Sequence, residues 1–236
     1  MNMSFDLYPF RHWVIDDYLH PTLLNRLLSE VPPADDPRWV SYSNVVEKKK
    51  ALADWHAFGP ATYHFFTDMC GEQVGICSRL TGIEDLFPDY GLHGGGWHLH
   101  GDGGNLNPHL DYARHPKLSL ARRLNAILYL TPDWQAEWGG HFGLWEKGDE
   151  PHLPGKLYKE ILPVSNRFVM FETPDAWHGM SRPLHLPPGV YRRSLAMYYL
   201  SPATETTGSN KRALFAPRED QRTDKAVQDL CLARSK

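Results

Sequence analysis

From Gly91 onward the chain is a succession of short β-rich runs parted by turn residues, at 92–101, 106–112, 122–131, 139–146, 157–163, 167–172, 176–182 and 191–200. Strands of this length and spacing predict a sandwich or a double-sheet jelly roll. The first 90 residues differ. Residues 10–19 alternate as a strand ending in a turn, and Pro21 stands where a helix can begin. Leu23, Leu24, Leu27 and Leu28 give that helix one apolar face, and Val31-Pro32-Pro33 stops it. Between 60 and 80, Tyr63, Phe66, Met69, Cys70, Val74 and Cys77 recur at helical spacing, closed by Gly82. Helices first and strands after predict an α+β, mainly β chain. The expected fold is a jelly roll, or double-stranded β-helix, with N-terminal helices buttressing one sheet.

A length of 236 residues suits one sizeable core and is short for two. We therefore expect a single domain over 1–205, with a helical part at 1–90 and a jelly-roll core at 91–205, followed by a polar tail at 206–236. A short helix fits 223–233. Residues 34–50 read as polar and irregular, with Lys48-Lys49-Lys50 a solvated face, and 145–156 reads as a flexible loop. The net charge of −3 points to no nucleic-acid or membrane partner. Cys70, Cys77 and Cys231 are an odd, sparse set, which predicts free thiols and a reducing, cytoplasmic setting. No signal peptide and no membrane span is legible. Oligomeric state is not legible either.

Thirteen histidines are many for this length, and eight fall between 90 and 180. Within that region stands His109-Leu110-Asp111. In a strand, residues i and i+2 share a face, so His109 and Asp111 can converge on one ion while Leu110 points away. His178, several strands later, can complete the set. Two imidazoles and one carboxylate bind non-haem Fe(II) and leave positions open for a co-substrate and oxygen. His98 and His100 also share a face. They fit supports for the ligands, substrate contacts or polar groups at a cavity mouth. Zinc on another histidine set has no comparable spacing support.

Residues 191–200 are the clearest strand. Alternation puts Arg192, Ser194, Ala196 and Tyr198 on one face, and Arg193, Leu195, Met197 and Tyr199 on the other. An inward Arg192 is costly unless paired, and a small-molecule carboxylate gripped by both guanidinium arms would pair it. Arg123, Asn125, Ile127 and Tyr129 likewise share a face, which offers Tyr129 and Asn125 to the same ligand. Arg193 is expected to be structural. Trp97, Trp134, Trp138, Trp145 and Trp177 could stack on a substrate ring, with the core the more frequent place for such residues.

An ordered pattern emerges: Gly103-Gly104-Asn105-Leu106-Asn107-Pro108-His109-Leu110-Asp111, Arg123 through Trp134, Trp138-Gly139-Gly140, Trp177-His178-Gly179, Gly189 and Arg192-Arg193-Ser194-Leu195. Over residues 9–202 the chain resembles the prolyl-4-hydroxylase-like branch of the Fe(II)/2-oxoglutarate-dependent dioxygenases. The resemblance implies His109, Asp111 and His178 as iron ligands. It implies Arg192 on the C5 carboxylate of 2-oxoglutarate, assisted by Tyr129 and Ser194, with Tyr198 lining the pocket beyond. It implies Fe(II), 2-oxoglutarate and O2 as cofactors, ascorbate as a supporting reductant, and hydroxylation of an unactivated C–H with release of succinate and CO2. An amino-acid or peptidyl side chain is the favoured substrate, with His98, His100 and Tyr198 as candidate contacts. Gly139-Gly140 is implied to be a strand entry close to its neighbour. The chain departs from relatives in offering His98 or His100 where a Tyr is found, and Thr131 where an Asn is common. The reading from another class is a non-oxidative jelly-roll metal protein, such as a cupin-like isomerase or a binding module, which has no need of Arg192 and Ser194.

Overall fold

A computed structural model describes residues 2–150 and 152–235. In chain order the elements are β1 (Asn2–Asp6), β2 (His12–Asp16), α1 (Pro21–Ser29), β3 (Val40–Ser43), β4 (Glu47–Leu52), α2 (Pro60–Cys70), α3 (Glu72–Thr81), β5 (Phe87–Pro88), β6 (Gly96–His100), β7 (Asn105–Leu106), β8 (His109–Leu110), β9 (Ala121–Tyr129), β10 (Phe142–Lys147), β11 (Pro154–Ile161), β12 (Phe168–Glu172), β13 (His178–Met180), β14 (Arg192–Ser201), β15 (Leu214–Phe215) and α4 (Lys225–Arg234). Among the described residues these strands form two sheets. The larger runs β1-β2-β12-β9-β14-β6-β4-β3, with β5 joined to β14 and β7 to β4. The smaller runs β11-β10-β13-β8-β15. The pairs that build the centre are antiparallel, and the chain switches sheets repeatedly as a jelly roll does.

The period of two sorts each central strand into two environments. Leu124, Ala126 and Leu128 of β9 and Leu195, Met197 and Tyr199 of β14 face outward, and the helices cover them. Leu27 of α1, Phe65, Phe66 and Met69 of α2 and Cys77 of α3 join the same core. Burying a side chain such as Phe66 contributes about 1.5–3 kcal/mol. The intervening residues, Asn125, Ile127, Tyr129, Arg192, Ser194, Ala196 and Tyr198, face the smaller sheet and line a pocket.

Local chemistry places the helices. Pro21 and Pro60 open α1 and α2, and the Glu30 carboxylate accepts from the Ala61 and Thr62 amides at 2.7 Å each, satisfying donors at the α2 N-terminus. Gly82, at φ 72°, ends α3 in the left-handed conformation that glycine adopts without strain. No helix among the described residues is long and apolar enough to cross a membrane.

Three segments differ from expectation. Residues 34–50 hold a hairpin instead of irregular chain: Val40 pairs with Ala51 and Tyr42 with Lys49, and β4 continues onto β6. This is the edge of the larger sheet and β3 is exposed throughout, so it carries no alternation to read. Lys49 is correspondingly not a solvated residue; its side chain is 12% exposed, paired to Glu47 at 3.1 Å, and turned to the pocket. Residues 145–156 are largely hairpin arms, with Trp145 opposite Leu157 and Lys147 opposite Pro154 across two register shifts that scramble the pattern. Pro151 lies outside the described residues.

The third is the C-terminal stretch read as a polar tail. It packs into the fold: β15 pairs Phe215 with His109, and α4 sets Val227 and Cys231 against Phe215 and Val46. Its apolar residues are too few and too scattered to form a period. The five tryptophans singled out from sequence all lie away from the pocket lining, four of them buried and Trp138 partly so.

Candidate active site

β8 and β13 are adjacent, and their register sets His109 directly opposite His178. The two rings lie 4.3 Å apart. Asp111 Oδ1 is 3.6 Å from His109 Nε2, and Asp111 Oδ2 is 3.4 Å from His178 Nε2. One ligand atom from each residue falls within 4.8 Å of the others, and among the described residues this is the one such group of three or more. The other ring nitrogens are committed. His109 Nδ1 lies 2.8 Å from the Asn107 carbonyl and His178 Nδ1 lies 2.9 Å from the Ala176 carbonyl. A carbonyl only accepts, so Nδ1 carries the proton in both rings and each Nε2 lone pair points at the centre, the tautomer a metal needs. Burial holds the His109 imidazole down at about 3, with His178 adding to the effect, and burial lowers His178 as well. Both rings are neutral and ready to ligate without releasing a proton.

Burial pushes the Asp111 carboxyl up, but the Arg122 guanidinium, the two imidazoles and the Asn125 amide outweigh it and hold the group below the ordinary carboxylate range. Asn125 Nδ2 donates to Asp111 Oδ2 at 2.7 Å, and Arg122 Nη2 lies 3.2 Å from the same oxygen. Arg122 also donates from Nε to Asn125 Oδ1 at 2.8 Å. Its guanidinium lies 3.5 Å from the Tyr198 ring centroid and 4.6 Å from that of Tyr112. The sequence pattern puts Arg123, not Arg122, on this face. A bulge decides otherwise: Leu200 pairs with Arg122 and Tyr199 with Leu124, so β9 carries one extra residue. Arg123 instead donates to Ser201 Oγ at 3.3 Å.

At the closed end Arg192 is 5% exposed. Its Nε donates to the Gly140 carbonyl at 3.1 Å and its guanidinium lies 4.7 Å from the Tyr129 ring centroid. Gly140 has φ 59°, and a Cβ there would run into Leu184 and sit 3.2 Å from Arg192 Cδ, so the glycine is what lets this carbonyl reach the guanidinium. No carboxylate among the described residues pairs with Arg192 in the cavity. Beside it, both ring nitrogens of His100 and the Tyr129 hydroxyl are buried with no hydrogen-bond partner. Ser194, opposite Tyr129 and His98 in the sheet, is 1% exposed. Buried polar atoms are normally paired. A buried cation surrounded by orphaned neutral donors fits a small-molecule carboxylate. Thr131 pins the start of β14, accepting from the Arg193 amide at 2.9 Å and donating to the Tyr191 carbonyl at 3.0 Å.

His98 and His100 both line this pocket, and His98 Nε2 donates to the Gly94 carbonyl at 3.0 Å. Burial keeps both imidazoles well below their ordinary range, with Lys49 and Arg192 adding to it. Unfolded, both take up protons near pH 6.5 while the folded forms stay neutral. The unfolded state then binds more protons in acid, so this stability is complete above pH 6.5 and is lost as the pH falls below it. Each ring adds up to about 1.4 kcal/mol per pH unit to the slope. Urea midpoints of the metal-free protein should drop between pH 7 and pH 5, roughly in that range, and less steeply in the His98→Gln/His100→Gln variant. A flat wild-type profile would contradict the burial argument.

Residues beyond position 205 complete the site, which sequence reasoning missed. The Phe215 ring stacks on His109 at 5.2 Å. Asn210 Nδ2 donates to the Asp111 carbonyl at 3.1 Å and the Ala216 amide to that of Pro108 at 2.8 Å. Arg218 Nη1 donates to Asn107 Oδ1 at 2.8 Å, steadying the residue whose carbonyl orients His109. Arg122 was visible only as half of an Arg pair, and Phe215 and Arg218 carried no signal.

The model of the 2OG-Fe(II) oxygenase superfamily matches residues 95–200, the stretch that contains the triad, Tyr129, Ser194 and Arg192. That stretch is similar to a 2OG-Fe(II) oxygenase domain. The cofactors of that superfamily are Fe(II), 2-oxoglutarate and O2, and the donor set just described fits them. The chain is similar to mouse prolyl 3-hydroxylase OGFOD1, 38% identical over 64 residues, which are 27% of this chain and 12% of that protein. It spans only this small part of that relative. Its fold is similar to a Pseudomonas putida prolyl-4-hydroxylase, with a TM-score of 0.60 at 20% identity over 82% of this chain and 93% of the other. It is also similar to a prolyl hydroxylase from Trichoplax adhaerens, solved with a hypoxia inducible factor peptide fragment, with a TM-score of 0.58 at 14% identity over 80% and 83% of the two chains. HygX from Streptomyces hygroscopicus, solved with nickel and 2-oxoglutarate, gives 0.55 at 15% identity over 81% and 83%. The expected family resemblance and jelly-roll fold are both borne out.

Proposed function

We propose that this domain is a hydroxylase acting on an unactivated C–H of an amino-acid or peptidyl side chain, with His109, Asp111 and His178 holding Fe(II) and Arg192 anchoring 2-oxoglutarate. The observation that carries this reading is the meeting, in one pocket of about 310 Å³, of a preset His-Asp-His triad and a buried arginine with no carboxylate of its own. When bound, Fe(II) and 2-oxoglutarate supply the oxidising chemistry, consuming O2 and releasing succinate and CO2 as the substrate gains a hydroxyl. The protein's part is binding, orientation and exclusion of water. The Asn107 and Ala176 carbonyls fix the tautomers of the two imidazoles. Arg122 and Asn125 occupy Asp111 Oδ2, which leaves Oδ1 the freer oxygen. Arg192, with Tyr129, Ser194 and His100 around it, holds the far carboxylate of the co-substrate and fixes which end faces the triad. Tyr198, packed on Arg122 with its hydroxyl donating to Gly94 O at 2.7 Å, and His98 line the remaining space, where the substrate side chain enters.

The test is the weak visible charge-transfer band of an Fe(II)–2-oxo acid chelate, recorded without oxygen. Wild type should show it and His109→Ala should not. Arg192→Ala should need about 30-fold more 2-oxoglutarate or beyond, the loss expected when one partner of a desolvated charge pair is removed. Iron bound with no band on adding 2-oxoglutarate would sink the reading.

A further inference from the structure

The pocket is strongly cationic in a chain whose net charge is −3. Lys49, Arg122, Arg192, Lys211, Arg212 and Arg234 line it, against Glu47 and Asp111. Three of the six are spoken for: Arg122 pairs with Asp111, Lys49 pairs with Glu47, and Arg192 lies at the closed end beside Tyr129. The other three come from the C-terminal segment and stand at the mouth. Lys211 and Arg212 are exposed, and Arg234, in the last turn of α4, lies 5.1 Å from the Phe215 ring centroid. No carboxylate in the pocket remains to answer them. Like charges gathered on one rim cost self-repulsion and raise the local concentration of oppositely charged ligand, an effect strengthened by low-dielectric walls.

The size of the cavity decides what reaches that rim. At about 310 Å³ it is at the small end of ligand pockets. With 2-oxoglutarate aboard, the space left beside Tyr198 and His98 suits one side chain. The rest of a larger substrate lies outside, between the β3–β4 hairpin with Tyr42 and the segment carrying Lys211, Arg212 and Arg234. Building on the oxygenase reading above, we propose that the substrate is an acidic polypeptide segment: one side chain enters the pocket, and carboxylates flanking it are held by Lys211, Arg212 and Arg234. A nucleic acid is the weaker fit, because a polyanion needs a basic track and the overall charge is negative.

Proton relaxation tests this without knowing the natural substrate. The full chain is loaded with Mn(II) and 2-oxoglutarate, and the Zn(II) form is the diamagnetic reference. The probes are short capped peptides with a central proline, flanked by glutamates in one and by lysines in the other, together with a short oligothymidylate. Protons of the glutamate peptide should relax at concentrations about tenfold below those needed for the lysine peptide, and the preference should shrink as salt rises. Lys211→Glu/Arg212→Glu, at two exposed positions, should abolish or invert it. Equal behaviour of the two peptides, no relaxation of either included, overturns the proposal. So does a preference that survives in the variant, or oligothymidylate relaxing more readily than the glutamate peptide. The Fe(II)–2-oxoglutarate band is recorded on each preparation. Its absence removes the oxygenase reading itself, whereas a normal band with no charge preference removes only the acidic-substrate assignment.

Discussion

Asp111→Ala should abolish the Fe(II)–2-oxoglutarate band and, in the metal-free protein, cost about 3–5 kcal/mol of stability, the usual penalty for breaking a buried ion pair. The two effects have different causes. The first is loss of the carboxylate that sits between the imidazoles at 3.4 and 3.6 Å. The second is Arg122. Its side chain is 3% exposed, and Asp111 is its one carboxylate partner among the described residues. Without Asp111 a guanidinium remains in the core with only Asn125 and two aromatic rings to offset its desolvation. His109→Ala removes a neutral ring and leaves the ion pair whole, so it should lose the band at a smaller cost in stability. Urea unfolding of the three metal-free proteins separates the contributions. Asp111→Leu combined with Arg122→Met should regain most of the lost stability and none of the band, because an apolar pair of similar volume replaces a buried ion pair at little cost. If metal-free Asp111→Ala is no less stable than His109→Ala, Arg122 is not held as described.

Removing residues 209–236 should cost roughly 5 kcal/mol or more, comparable with the whole stability of an ordinary domain. Phe215 and Val227 are 3% and 1% exposed, and burial of each contributes about 1.5–3 kcal/mol. Loss of Arg218 leaves the Asn105 side-chain oxygen buried without its donor, and loss of Ala216 and Gln221 leaves Asn107 Nδ2 without its acceptors, at about 1–3 kcal/mol for each group left unsatisfied. The truncated chain should therefore be largely unfolded or aggregated. Two point variants keep the idea testable in folded protein. Phe215→Ala should cost about 3–5 kcal/mol and Arg218→Met less. Both should weaken metal binding roughly tenfold or more, as loss of a group supporting a ligand does. A truncated chain that stays folded and gives a full-strength band would show that the C-terminal segment is an ornament.

These two cases mark how far the sequence reaches. The His109–Asp111 pair was legible because both side chains depend on one strand's period of two, a local property. The same period placed Arg192, Ser194 and Tyr198 together on the inner face of β14. The helices were legible from their apolar faces and from Pro21, Pro60 and Gly82. Arg122 was misplaced because a bulge depends on how two strands hydrogen-bond, and β9 alone contains no record of it. The β3–β4 hairpin was missed because edge strands in water need no apolar alternation. The C-terminal strand was missed because two residues of pairing make no pattern, and their value comes from what Phe215 touches.

Taken alone, then, the sequence determines the local periods, the place of most core strands and the chemical identity of the donors. The tertiary structure decides which donors meet: that His178 lands opposite His109, that Arg122 and not Arg123 takes Asp111, that His100 and Tyr129 flank Arg192, and that Lys211, Arg212 and Arg234 crown the mouth. The physical reason is range. Dihedral preference and side-chain alternation act over a few neighbouring residues, whereas register, bulges and the docking of a distant segment are settled by hydrogen bonds and burial between parts of the chain far apart in sequence.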